Sequence, residues 1–180
     1  MTVKRVFDVF LALAWGIILA PLALLVALAV WLEGRCPVVI YTERIGQFGK
    51  PFKHYRFRTM AGSPPRKTAL GRVIGNLSLD DLPTLWNIVK GDLSVVGPRP
   101  EMPEKVNALD PEWQKVLSVK PGLIGKGILT FREIYNTTSI QDRIKPELEY
   151  VVEQSFLFDM QLILQAFYWW LRMGHVKGRF

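Results

Sequence analysis

Apolar and polar positions are unevenly distributed along the chain. Residues 9–32 carry no charge and are almost wholly apolar, with Lys4, Arg5 and Asp8 just before them. As a helix rising about 1.5 Å per residue, this run reaches roughly 36 Å, enough for a hydrocarbon core of about 30 Å. It is too long for a cleaved leader, and no small-residue cleavage site precedes a polar start. The pattern therefore predicts a membrane element that stays in place. Pro21 sits near its centre, where a proline removes a helical hydrogen bond and clashes with the preceding turn, so a kink is expected. One outcome is a single-pass helix with a tolerated kink. The other is a helix–break–helix that dips in and returns. Cations on both sides (Lys4 and Arg5 before, Arg35, Arg44 and Lys50 after) leave the charge rule for loops without a preference.

The other end of the chain, from Phe156 to Phe180, interleaves Phe158, Leu162, Phe167, Tyr168, Trp169, Trp170 and Leu171 with Arg172, His175, Lys177 and Arg179. Aromatic rings beside cations suit a helix lying at headgroup level, with a core helix and basic tail as the alternative. Between the two ends, residues 37–41 read as a strand. Gly46 and Gly49-Lys50-Pro51 mark a turn before a second extended stretch over residues 52–58. Residues 61–67 read as a loop. A helix is expected over Leu79–Lys90, with Ser78 as N-cap, Asp81 as the acid of a variant capping box and Gly91 as terminator. Leu93–Gly97 leads into the rigid turn Pro98-Arg99-Pro100. Residues 101–118 can form a further helix starting near Pro103, and helical patterning resumes near Lys145. There is no internal repeat. These elements predict an α/β domain, mostly α with short strands, seated on a membrane.

Composition adds three constraints. The 180 residues suit one domain of ordinary size, and 49% hydrophobic content excludes a disordered chain. A net charge of +7 points to anionic partners: phosphorylated substrates, nucleic acid or acidic lipid. The single cysteine, Cys36, excludes a disulfide framework and a four-thiolate zinc site.

Asp80-Asp81 is the first candidate for chemistry. Acids at a helix start complement the macrodipole, which is explanation enough by itself. An acid pair also serves magnesium–phosphate chemistry, because a hard cation takes carboxylate oxygens and leaves places for phosphates. A carboxylate can moreover attack phosphorus and carry the phosphoryl group. Arg99, framed by two prolines, presents a guanidinium suited to bidentate phosphate binding; its plain alternative is a turn arginine. Lys53, Arg56 and Arg58 form a further basic cluster, which as a charge run can equally be a solvated strand face. His54 and His175 have no partner at ligand spacing. The P-loop, G-x-G-x-x-G, H-E-x-x-H and nucleophile-elbow patterns are absent from the sequence.

These strings together resemble the bacterial sugar transferases, specifically the small monotopic phosphoglycosyl transferases acting on polyprenol phosphate. The likeness runs in order from Lys4-Arg5-Val6-Phe7-Asp8 before the proline-interrupted run to Tyr55-Arg56-Phe57-Arg58-Thr59-Met60. It continues through Ser78-Leu79-Asp80-Asp81-Leu82-Pro83-Thr84-Leu85-Trp86-Asn87, Gly91–Pro100 and Lys120-Pro121-Gly122. The resemblance implies transfer of a sugar phosphate from a UDP-sugar to undecaprenyl phosphate, with release of UMP, through a covalent phosphosugar–aspartate intermediate. It implies a re-entrant membrane unit over residues 1–36, broken at Pro21. Residues 37–180 would form a catalytic domain on the cytosolic face of the bacterial inner membrane, with interfacial helices. Asp80 would be the nucleophile. Asp80 and Asp81 would bind magnesium, with a base as the other role for Asp81. Arg99, Arg58, Arg56 and Lys53 would hold substrate phosphates. Partners would be the donor, the lipid acceptor and membrane lipid, with no nucleic acid; a homodimer is left open.

Several positions depart from the family pattern. The second acid is usually Glu, Ala20 stands where Ser often precedes the proline, and Gly75-Asn76 replaces arginines before the Ser-Leu-acid-acid run. A common downstream Asp is missing, with Glu147 and Glu149 flanking its approximate place. The segment after Gly122 lacks a typical Trp-Gln pair, and no catalytic role is assigned beyond residue 100. The competing readings are a membrane-anchored basic domain that binds acidic lipid or nucleic acid, and an inactive scaffold relative.

Overall fold

The computed structural model describes residues 3–34 and 37–173. The basic residues His175, Lys177 and Arg179 lie outside the described residues. Helix α1 runs from Val3 to Leu32 with Pro21 inside it. The expected division at Pro21 into two helical elements is therefore not seen. Proline removes one hydrogen bond from the ladder. The Leu- and Ala-rich flanks propagate the helix past that gap, and contacts at both ends hold it.

The N-terminal end of α1 is fixed by polar contacts. Asp8 is buried and accepts from Ser94 Oγ at 2.8 Å and Val95 N at 3.1 Å. Arg5 donates to Ile88 O at 2.5 Å and Val89 O at 2.8 Å, capping the helix that ends there. Lys4 donates to Val96 O and bonds to Tyr150 and Asp159. Near the other end, Val26 and Val30 pack with Phe57 and Ile74. Between them, Leu13, Ile17, Ile18, Leu24 and Leu25 are exposed. Only 11% of the most apolar window is buried, so α1 is not an ordinary core helix.

Strands β1 (Val39–Ile45) and β2 (Pro51–Phe57) pair antiparallel, from Val39 opposite Phe57 to Ile45 opposite Pro51. A single 3₁₀ turn over Gln47–Gly49 joins them. The expected loop over residues 61–67 contains a minimal hairpin, β3 (Met60–Ala61) with β4 (Arg66–Lys67). Helix α2 (Ala69–Asn76) follows, capped by Thr68.

The single helix expected over Leu79–Lys90 is divided. Leu79–Asp81 forms a 3₁₀ turn, and helix α3 spans Thr84–Lys90. Pro83 separates them, since its missing N–H suits a first-turn position. Ser78 takes a left-handed conformation (φ 56°) and makes no capping bond, whereas Gly91, at φ 100°, ends α3 as expected. β5 (Ser94–Val96) pairs parallel with β6 (Gly122–Ile124). The helix expected over residues 101–118 shrinks to a 3₁₀ turn at Pro103–Lys105 and α4 (Pro111–Val116). Helices α5 (Lys126–Phe131), α6 (Ile140–Glu153) and α7 (Phe156–Met173) complete the chain.

The largest core cluster gathers Ala12 of α1, Ile88 of α3, Val95 and Val96 of β5, Leu129 of α5, Tyr150 of α6 and Leu162 of α7. The N-terminal helix is thus part of the core that carries the site. α7 buries Asp159 and Leu162 but leaves Leu164, Phe167, Tyr168 and Trp170 exposed.

Candidate functional site

The site forms where the β1–β2 hairpin faces the 3₁₀ turn and α3. Two buried side chains fix that approach. Asn87 accepts from Tyr55 N at 3.1 Å and donates to Lys53 O at 2.7 Å and Asp92 Oδ2 at 3.0 Å, serving β2 in place of a third strand. Thr84 Oγ1 donates to Tyr55 O at 3.0 Å and lies 3.1 Å from His54 Nε2. The hydroxyl has one proton, and it goes to the carbonyl, so His54 Nε2 is the donor in the second contact. His54 Nδ1 is then a bare acceptor, buried and without a partner among the described residues. Burial, reinforced by the Arg56, Arg44 and Arg99 charges and opposed by Asp81, lowers the imidazole pKa to about 4. His54 is neutral at physiological pH.

Strand alternation sends His54 and Arg56 to the side of the acid pair. Arg56 clasps both acids, with Nη2 on Asp80 Oδ2 at 2.7 Å and Nε on Asp81 Oδ1 at 2.6 Å. Burial opposes the charge on Arg56, but Asp81 and Asp80 outweigh it and raise its pKa. The guanidinium read from sequence as a phosphate ligand is therefore committed to the carboxylates here.

Asp80 is 4% exposed and its Oδ1 has no partner among the described residues. Burial and the neighbouring Asp81 charge push its carboxyl up to about 6, against the opposing pull of Arg56 and Lys67. Lys67, read only as loop, thus contributes to the field at Asp80.

The structure does not bring Lys53 to the acid pair. It falls on the opposite face of the hairpin, exposed, with Nζ 4.5 Å from the Tyr41 ring centroid. Arg58 follows β2, half-buried, and its amide donates to Val38 O at 2.9 Å. Pro21 lies in α1, remote in sequence from this constellation and exposed.

Arg99 sits on the Gly97–Pro100 turn, where its charge acts on His54 and Arg44. The turn is anchored by Gly122 N donating to Pro98 O at 2.9 Å and Gly97 N to Ile124 O at 3.0 Å. Backbones meet closely here: a Cβ on Gly122 would stand 2.1 Å from Gly97 N. Behind the turn, Glu101 pairs with Arg143 at 3.0 Å and accepts from Tyr135 OH at 3.2 Å. Glu147 is also buried here, with Oε1 3.4 Å from Arg99 N and Oε2 without a partner among the described residues. Burial pushes its carboxyl up to about 7, against hydrogen bonds from the Arg99 and Gly127 amides and the Arg99 charge. Sequence reasoning noted Glu147 only as flanking a missing aspartate. Arg44, His54, Tyr135 and Arg143 carried no signal beyond residue type.

A buried carboxylate beside a second acid, a clasping arginine and a framed arginine can support phosphoryl chemistry with an acid as nucleophile. Comparison with known proteins bears on that chemistry. A family model described as bacterial sugar transferase matches residues 1–173. The uncharacterized sugar transferase EpsL of Bacillus subtilis is 33% identical over 173 residues, covering 91% of this chain and 84% of the relative. The UDP-glucose:undecaprenyl-phosphate glucose-1-phosphate transferase of Caulobacter vibrioides is 32% identical, covering 91% of this chain and 67% of the relative. The undecaprenyl-phosphate glucose phosphotransferase of Komagataeibacter xylinus is also 32% identical over 91% of this chain, which spans only 35% of that longer relative. The match takes in α1, the acid pair and the Pro98-Arg99-Pro100 turn together, and on it the chain belongs to the bacterial sugar transferase family.

Proposed function

We propose that the protein transfers a sugar phosphate from a UDP-sugar to undecaprenyl phosphate, releasing UMP, with Asp80 as the nucleophile. One observation carries this reading: a buried carboxylate whose Oδ2 is clasped by Arg56 while its Oδ1 has no partner among the described residues. In the first step Asp80 Oδ1 attacks the phosphorus bearing the sugar, and the bond to UMP breaks with its electron pair leaving on UMP. In the second, a phosphate oxygen of the lipid attacks the same phosphorus. The acyl-phosphate bond breaks and the carboxylate is restored, so neither step consumes a proton. Arg56 orients Asp80, and Arg99 binds substrate phosphate.

The residues suit magnesium. Carboxylate oxygens of half-buried Asp81 and of Asp80 beside it are hard donors, and a magnesium site commonly takes one or two carboxylates plus substrate phosphates. Among the described residues no group of three or more metal-ligating side chains lies together. Asp81, with Asp80, would hold the ion, which when bound offsets charge on the donor's diphosphate.

The membrane disposition supports a lipid acceptor. α1 contacts the globular part near both ends and exposes apolar residues between them. That favours a helix that enters one leaflet and keeps both ends on one face, the cytosolic side of the bacterial inner membrane. The exposed aromatic side of α7, with Arg172 5.2 Å from the Tyr168 ring centroid, suits the interface beside it.

The test is UMP release by the full chain in nanodiscs, with magnesium and undecaprenyl phosphate, across a panel of UDP-sugars. One donor should support lipid-dependent release, and intact mass should find a phosphosugar on the protein that is absent from Asp80→Asn. Lipid-dependent turnover retained in Asp80→Asn would remove Asp80 as nucleophile.

A further inference from the structure

We propose that Arg44 and Arg99 together form an oxyanion seat for a phosphate monoester, with Tyr135 as the positioning residue that holds Arg99. This rests on the donor and acceptor chemistry proposed above, and it adds Arg44 and Tyr135 to the binding machinery.

The pairing of charges around the turn leads to it. Arg56 is matched by Asp80 and Asp81, and Arg143 by Glu101. Arg44 and Arg99 are left over: among the described residues neither has a carboxylate within ion-pair distance. Arg44 is half-buried at the end of β1, where Ile45 N donates to Glu101 O at 3.0 Å and fixes the strand against the arginine turn. A guanidinium offers five N–H donors. Arg44 uses Nη1 on Pro100 O in a long 3.4 Å contact, and its Nε is buried with no partner among the described residues. Buried donors left unsatisfied are costly, and an incoming acceptor removes that cost. Burial lowers the Arg44 pKa, and Arg99 is the nearby charge that lowers it most. Arg44 reaches the carbonyl next to Arg99, and two cations this close in the chain's fold attract an anion. Planar forks on both sides suit the oxygens of a terminal phosphate.

Arg99 is steadied without being neutralised. Its Cζ lies 5.4 Å from the Tyr135 ring centroid, within cation–π range, and Arg143 Cζ lies 4.8 Å from the same ring. The ring is itself fixed, being 6% exposed with its hydroxyl on Glu101. An acidic partner would compete with a phosphate for Arg99, whereas an aromatic face leaves the N–H edges available.

Two phosphates of the reaction share the monoester chemistry: that of UMP and that of the polyprenyl acceptor. Binding of UMP and of a short-chain polyprenyl phosphate would be measured by calorimetry on the full chain in nanodiscs. The variants are Arg44→Gln, Arg44→Lys, Arg99→Gln, Tyr135→Leu and Tyr135→Phe, with the exposed Arg72→Gln of α2 as control. Loss of one charge-assisted phosphate contact weakens affinity by about 10–100-fold. Arg44→Gln and Arg99→Gln should each show this, with Arg44→Lys intermediate. Weakening confined to UMP assigns the seat to the nucleotide phosphate, and weakening confined to the lipid assigns it to the acceptor. Tyr135→Leu should raise KM for the same ligand with kcat little changed, and Tyr135→Phe should restore wild-type KM. Wild-type affinity for both ligands in a folded Arg44→Gln protein overturns the seat. A Tyr135→Leu protein with lower thermal stability but unchanged KM overturns the positioning role. If phosphates bind as expected but no UDP-sugar yields UMP, the transferase reading fails and the seat stands.

Discussion

Replacing Asp80 by Asn should abolish turnover and, at neutral pH, make the protein more stable. The Asp80 carboxyl is raised from 3.8 to about 6 because it is buried beside Asp81. The folded state therefore holds the proton more tightly than the unfolded chain. The stabilisation this provides is complete below about pH 3.8 and is lost as pH rises through about 6. At about 1.36 kcal/mol per pKa unit, the loss reaches about 3 kcal/mol above pH 7. Asparagine carries no charge at any of these values, keeps the shape and offers Arg56 a carbonyl oxygen. The gap between variant and wild type should be about 1 kcal/mol at pH 4.5 and widen to about 3 kcal/mol at pH 7.5. For a chain of this length that is roughly 6–12 °C in thermal midpoint. Tryptophan fluorescence on heating, in one nanodisc composition at pH 4.5, 6 and 7.5, measures it. A variant less stable than wild type at pH 7.5, or a gap equal at all three pH values, would show that the Arg56 clasp outweighs the burial. The stability lost in holding a charge at Asp80 would then be absent.

The same ionisation should appear in the kinetics: kcat/KM for the donor should fall about tenfold per pH unit below about pH 6, since the nucleophile must be deprotonated in the free enzyme. A profile flat down to pH 4.5 would exclude Asp80 as the titrating group. Asp8→Ala leaves the Ser94 hydroxyl and the Val95 amide buried without an acceptor. It should destabilise the protein by about 2–4 kcal/mol and speed limited proteolysis near the α1 terminus. An unchanged proteolysis rate would mean that Asp8 does not hold α1 in place.

Much of this arrangement is legible in the sequence because it rests on local signals. The uncharged run gives α1, Gly91 ends α3, and the acid pair and framed arginine are visible as strings. What escapes is set by tertiary contact. Pro21 predicts a break, yet α1 is held near both ends and continues through it. Ser78 looks like an N-cap, but the chain turns left-handed there to present Asp80 in a 3₁₀ turn. Lys53 and Arg56 belong to one basic cluster in sequence, and strand alternation sends them to opposite faces. Asn87 reads as an ordinary helical residue, and only the folded hairpin shows it taking three hydrogen bonds to β2 and Asp92. Glu147 and Tyr135 act across long sequence separations, where no periodicity or spacing marks them.

The attachment of α1 also has a mechanical side. Asp8 is bonded to Ser94 and Val95, Lys4 to Val96, and three residues further along the same backbone stands Arg99. No hinge-like loop separates the buried end of the helix from the arginine turn, because Gly97 is locked against β6 by its bond to Ile124. A displacement of α1 would thus be carried straight to that guanidinium, with no loop between them to absorb it. Whatever anchors that apolar helix therefore also sets the position of the arginine turn, so anchor and site move as one rigid piece.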